Sequence, residues 1–114
     1  MIVYFHIPPT DLYPVPWIWP ENGNTLLGVL DNHPPDLVVC GHFHVYVRWE
    51  RENTTYVALG SSGGLPAPFV ELPNNTKAYH FAMGYGYVRV SGNTLSFEWK
   101  GIDGSVIDSF TLKR

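Results

Sequence analysis

The sequence predicts an α/β fold, with one βαβ unit followed by mostly antiparallel strands. Three observations predict it. Two short apolar runs, Ile2 to His6 and Asp36 to Cys40, flank leucines at helical spacing. Beyond residue 44 the pattern changes to paired strands around polar turns. The last three apolar runs are joined by Ser91-Gly92-Asn93 and Asp103-Gly104, both good turn sequences. A chain of 114 residues suffices for one small domain, so 1–114 reads as a single unit.

Each element has a local reason. Ile2 to His6 is rich in β-branched and aromatic residues and apolar on both faces, which predicts a buried, parallel, central strand. Such a strand at residue 1 predicts further chain upstream. Pro8, Pro9, Pro14, Pro16 and Pro20 break the next stretch into loop. Asn24 is placed to cap a helix whose Leu26, Leu27 and Leu30 share one face, and Pro34-Pro35 ends it. Asp36 to Cys40, reading DLVVC, is a second buried strand, so the unit closes as a right-handed crossover. Val45 to Glu50 and Thr55 to Leu59 flank the polar turn Arg51 to Thr54 as a hairpin. Gly60-Ser61-Ser62-Gly63-Gly64 reads as a flexible loop, and residues 65 to 78, with Pro66, Pro68 and Pro73, as irregular. The final strands are Tyr85 to Val90, Leu95 to Trp99 and Val106 to Leu112. The middle one alternates Leu95, Phe97 and Trp99 with Ser96, Glu98 and Lys100, the period of a half-exposed sheet.

Composition narrows the function classes. With 45% hydrophobic and 15% charged residues the chain is globular in type, not disordered. Aromatics make up 15%, so flat rings must fill much of the core or line a cleft or interface. The net charge is −3 and no run of Lys or Arg occurs, so the electrostatic footprint of a nucleic-acid binder is missing. Cys40 stands alone and no internal disulfide can form. The N-terminus lacks the basic and apolar regions of a signal peptide, and no segment approaches the roughly 20 apolar residues of a membrane span, which makes the cytoplasm the default expectation. Two N-x-Ser/Thr sequons, at Asn53 and Asn74, are of a kind common by chance.

The histidines carry the chemistry. His6 closes the first strand; His42 and His44 follow the second in Gly41-His42-Phe43-His44. Neighbouring parallel strands lie about 5 Å apart, and their C-terminal ends share the edge where ligand sites form. The three imidazoles can therefore converge on one or two ions, and Gly41 would let the chain turn sharply enough to aim two of them. Neutral imidazole suits Zn, Mn, Fe and Ni. A single histidine at a strand end is more often a polar residue near the surface; three at one edge favour a site.

Phe5-His6-Ile7-Pro8 ahead of a helix, then Asp36-Leu37-Val38-Val39-Cys40-Gly41-His42-Phe43-His44, resembles the last two signature blocks of the calcineurin-like metallophosphoesterases. The hairpin, the Tyr56 to Gly64 stretch and the last strands resemble that family's C-terminal sheet, so the likeness covers most of the chain. It implies a partial calcineurin-like two-sheet sandwich, the C-terminal part of a metallophosphoesterase domain. It also implies a centre of two divalent metal ions (Mn, Fe, Zn or Ni), with His6 and His42 on one and His44 on the other. In that family a bridging hydroxide attacks the phosphorus of a phosphate ester in line. The family's Asp-x-His, Gly-Asp and Gly-Asn-His blocks have no match here, and Asp11 and Asp31 sit in no matching pattern. The chain alone is thus expected to hold its metals partly or not at all and to leave phosphate mono- and diesters unhydrolysed, its substrate requiring the missing half. A runner-up reading is a non-catalytic remnant that binds one metal or a protein partner. A third, a β-rich interaction domain with incidental histidines, predicts scattered imidazoles.

Other residues read more plainly. Cys40 is a small buried hydrophobe before it is a soft ligand. His33 suits the end of a helix, and His80 a partly buried structural place. The Gly60 to Gly64 loop has amide donors for a phosphate but no following Gly-Lys-Ser/Thr. Trp17-Ile18-Trp19 is more aromatic than a loop requires and would cover the cleft or pack on a missing half. An exposed apolar edge beside the first strand predicts self-association, most simply as a dimer.

Overall fold

The computed structural model describes residues 1–9, 23–66 and 71–114, apart from the side chains of residues 23 and 24. Asp11, Pro14, Pro16, Trp17-Ile18-Trp19, Pro20, Pro68 and the Asn24 cap therefore lie outside the described residues.

The elements follow one another as β1 (Ile2–Tyr4), α1 (Gly23–Asn32), β2 (Leu37–Cys40), β3 (Tyr46–Arg51), β4 (Thr54–Leu59), β5 (Thr76–His80), β6 (Gly84–Ser91), β7 (Thr94–Gly101) and β8 (Val106–Lys113). They make a five-stranded mixed sheet, ordered β1-β2-β4-β3-β5, and a three-stranded antiparallel sheet, ordered β6-β7-β8. In the first sheet β1 and β4 both run parallel to β2, while β3 runs antiparallel to β4 and β5. The α/β class and the βαβ-then-antiparallel order follow the sequence reading. Among the described residues no helix is long and apolar enough to cross a membrane.

Alternation along the strands divides the core in two. Val38, Cys40, Val47, Trp49, Tyr56 and Ala58 face one side of the large sheet and pack with Leu26 and Leu30 of α1. Leu37, Tyr46 and Val57 face the other and pack on Leu95, Phe97 and Trp99 of β7. The large sheet is thus buried on both faces, which explains why its strands read as near-continuous apolar runs. The small sheet is buried on one, which explains the alternation of β7. Stacked rings dominate the second core: Tyr46 lies 4.9 Å from Trp99, nearly parallel to it, and Phe97 lies 4.9 Å from Phe110.

Two expectations need correction. The first strand is not buried or central in this chain. β1 is an edge strand, with Ile2 41% and Tyr4 82% exposed, because only β2 pairs with it. The stretch 65–78 also contains order that its prolines concealed. Thr76–His80 forms the far edge of the large sheet, paired with β3 across a bulge at Arg48 and Trp49. Prolines precede that strand but none lies inside it, so no residue of it lacks a backbone donor.

Turn chemistry fixes the hairpins. Glu52 and Asn53 both have positive φ, 44° and 63°, as a two-residue turn between right-twisted strands requires. Gly92 takes the same role between β6 and β7, with φ 56°.

Candidate metal centre

The parallel pairing of β1 with β2 runs on past the strands. Phe5 N–H donates to the Val39 carbonyl (3.1 Å), and Gly41 N–H to the His6 carbonyl (2.9 Å). This carries His6 and the Gly41-His42-Phe43-His44 segment to the same sheet edge. There His42 Nδ1 lies 3.2 Å from His6 Nε2, and the two rings meet edge to face at 86°. Incidental histidines would be scattered; these two are in contact.

The turn that aims His42 differs from the expected one. Phe43 N–H donates to the Gly41 carbonyl at 2.8 Å, and His42 between them has φ 67°. The segment is a γ-turn with positive φ at its centre, the rarer and more strained of the two γ-turns. The left-handed residue is therefore His42, not Gly41. A methyl group at Gly41 would find only ordinary contacts, the nearest 3.5 Å away on the His6 ring. Uncommon backbone angles in a bulky residue persist where surrounding structure holds them, and they cluster at functional sites.

His44 has a hydrogen-bond partner of its own. Its Nδ1 lies 2.8 Å from the Leu65 carbonyl, across the loop that follows β4. Its charge still reaches His42. Burial first, then the like charges of His6 and His44, hold the His42 pKa below the ordinary histidine value. His42 thus stays neutral further into the acid range, and the neutral ring is the one with a lone pair to give. Among the described residues no three His, Cys, Asp or Glu side chains form a group that could hold a metal ion.

No protein-family model matches the sequence, and neither does any curated protein. Solved structures do match. A purple acid phosphatase from yellow lupin seeds superposes with a TM-score of 0.75 at 19% identity over 99% of this chain. GAP50, the anchor in the inner membrane complex of Plasmodium, gives 0.74 at 17% identity over 91%. Vps29 complexed with Zn2+ from Entamoeba histolytica gives 0.50 at 17% identity over 96%. The fold is that of the calcineurin-like metallophosphoesterases. The chain spans 24%, 33% and 58% of those three proteins' own lengths.

The remaining candidates fall outside the pair. Cys40 is buried, its thiol donates to the Val57 carbonyl at 3.3 Å, and burial pushes its pKa well up, so no thiolate forms. His80 stacks on Tyr46 with ring centres 6.0 Å apart, as a structural residue would. His33 closes α1, its N–H donating to the Val29 carbonyl at 3.0 Å. A cavity of about 860 Å³ lies at the opposite end of the large sheet, around Arg51, Asn53 and Glu71, and contains none of the three histidines.

Sequence reasoning missed two features near the site. One is the loop itself. Gly60 and Gly64 are close-approach glycines: a methyl at Gly60 would lie 1.4 Å from the Phe43 carbonyl oxygen, and one at Gly64 would lie 2.6 Å from His44 Cε1. A glycine-rich stretch suggests flexibility, whereas glycine also serves where backbone must touch its neighbours. The other is an ion pair between the sheets. Arg48 donates to both Asp108 oxygens at 2.8 and 3.1 Å, and Tyr46 Oη–H donates to the same carboxylate at 2.6 Å. The signal was a charged residue at the inward phase of each strand.

Proposed function

We propose that His6 and His42 are a chelating pair for a divalent metal ion, and that the chain is the histidine-bearing part of a metal-dependent phosphoesterase. The observation that carries this is the 3.2 Å between His42 Nδ1 and His6 Nε2. Two nitrogens each about 2.1 Å from one ion, as in zinc sites, subtend about 100° at that separation, within the range of tetrahedral and octahedral coordination. The donor set fits Zn, Mn, Fe or Ni, since neutral imidazole is a borderline ligand. His44 would serve a second ion through Nε2. The metals would polarise a phosphate ester and activate water. This chain's own part is to supply imidazoles at a fixed angle and to keep His42 neutral.

The fold likeness supports the class and the missing carboxylate blocks limit it. A two-metal centre needs a bridging carboxylate, and none of the family's carboxylate-bearing blocks has a match in the 114 residues. The fragment is accordingly inactive alone on aryl phosphates and phosphodiesters. That same lack favours, as second reading, a module that binds one metal or a protein partner without catalysis.

Calorimetric titration of the 114-residue chain with zinc tests the pair. One ion should bind, and His6→Ala or His42→Ala should each weaken it at least tenfold, since either removes half of the pair. Unchanged zinc affinity in both variants would remove the reading. Turnover of an aryl phosphate by wild type, lost in His42→Ala, would instead show that this fragment is a sufficient enzyme.

A further inference from the structure

We infer that the Gly60–Leu65 loop is a clamp that fixes His44 as its Nδ1–H tautomer and leaves Nε2 bare as the donor atom. A backbone carbonyl can only accept. The 2.8 Å contact of His44 Nδ1 with the Leu65 carbonyl therefore requires a proton on Nδ1. In the neutral ring the other nitrogen then carries the lone pair. A free histidine side chain favours the opposite tautomer, so the loop inverts the intrinsic preference.

The loop can reach His44 only because two of its residues lack a side chain. At Gly60 the chain passes so close to the Phe43 carbonyl that a methyl group would coincide with it, at 1.4 Å. At Gly64 the backbone lies against the His44 ring, and a methyl would sit 2.6, 2.7 and 2.8 Å from Cε1, Nε2 and Nδ1. Gly64 thus sets the ring's position while Leu65 sets its proton. The intervening Gly63 faces open space, with nothing within 4 Å of a methyl there. Gly64 and the Leu65 carbonyl are positioning groups: they act on a donor atom through the His44 ring. Orientation of a ligating imidazole by a hydrogen bond to its second nitrogen is worth roughly 10–100-fold in metal affinity.

The consequence for metal capture rests on the proposed metal centre, whereas the tautomer does not. Long-range proton–nitrogen NMR correlations on metal-free protein, well above the ordinary histidine pKa of about 6.5, read the His44 tautomer directly. Wild type should show Nδ1–H at His44. Gly64→Ala should shift His44 toward Nε2–H, and Gly63→Ala, which changes the same loop's backbone freedom without touching the ring, should not. A wild-type His44 in the Nε2–H form, or equal responses to the two alanines, overturns the clamp. Wild type that keeps the tautomer but takes up no zinc would remove the metal reading and leave the clamp standing.

Discussion

His42 shows how one residue joins backbone strain to chemistry. Its φ of 67° is a conformation that costs an ordinary L-residue of order 1–2 kcal/mol, and less for residues whose short polar side chains bond locally. The γ-turn and the Gly41 bond to His6 hold it there, so the strain keeps Nδ1 facing the other ring. Two variants separate the backbone term from the ligand term. His42→Asn should unfold within about 0.5 kcal/mol of wild type, because Asn tolerates the left-handed region. His42→Val should lose about 1–2 kcal/mol, because a branched Cβ is worst there. Both lose the imidazole. Thermal unfolding of the metal-free chain checks this, and equal stability of the two variants would show that the turn relaxes freely.

The elements were legible to the degree that periodicity governed them. β2, β4 and β7 appear in the sequence because their alternation or continuity matches how many faces they bury. β5 was hidden because Thr76–His80 is an edge with alternate residues exposed, behind prolines that suggest a loop. The edge placement of β1 was hidden because an apolar run reports hydrophobicity, not which neighbours are present. At the site, the shared edge of His6 and His42 was legible from βαβ logic. The direction of the His44 ring was not, since it depends on a loop whose glycines are equally compatible with flexibility. The Arg48–Asp108 pair across the sheets was likewise unread, because pairing 60 residues apart leaves only two out-of-phase charges as its signal. That pair has a measurable consequence. Burial opposes ionisation of Asp108, and the bonds from Arg48 and Tyr46 outweigh it, holding the carboxyl below its usual value. Its contribution is complete above the unfolded value of about 3.9 and fades as pH falls through the lower folded value. Asp108→Asn strands the Arg48 guanidinium between the sheets and should cost about 3 kcal/mol near neutral pH. Its urea midpoint should then vary less with pH in the acid range than that of wild type. A variant that follows the wild-type acid profile would show that Asp108 does not carry it.

At the scale of the molecule, each sheet ends in unpaired strands. β1 ends the large sheet and β6 ends the small one. A small cavity brings Met1, Ile2 and Asp36 beside Val90, Leu112 and Arg114 at the end of the small sheet. Each edge carries exposed apolar side chains: Met1, Ile2 and Tyr4 on one, Val88 and Val90 on the other. Unpaired strand edges bind other strands, and natural sheets usually blunt them with charge, proline or a bulge. β6 carries one charge, Arg89, among eight residues, and β1 carries none among three. This seam is apolar along the strands, with Asp36, Lys113 and Arg114 at its cavity end, and a two-fold axis closes it with the fewest copies. The 114-residue chain should therefore be a dimer at micromolar concentration. Light scattering after gel filtration measures this, and dilution should shift it toward monomer. Val90→Lys with Tyr4→Lys places a charge on each edge without touching a buried residue, so it should give monomer at the same concentration with the fold intact. A wild-type chain that runs as a monodisperse monomer across the range would show that the seam is closed from within. A dimer untouched by the two lysines would place the contact on another surface.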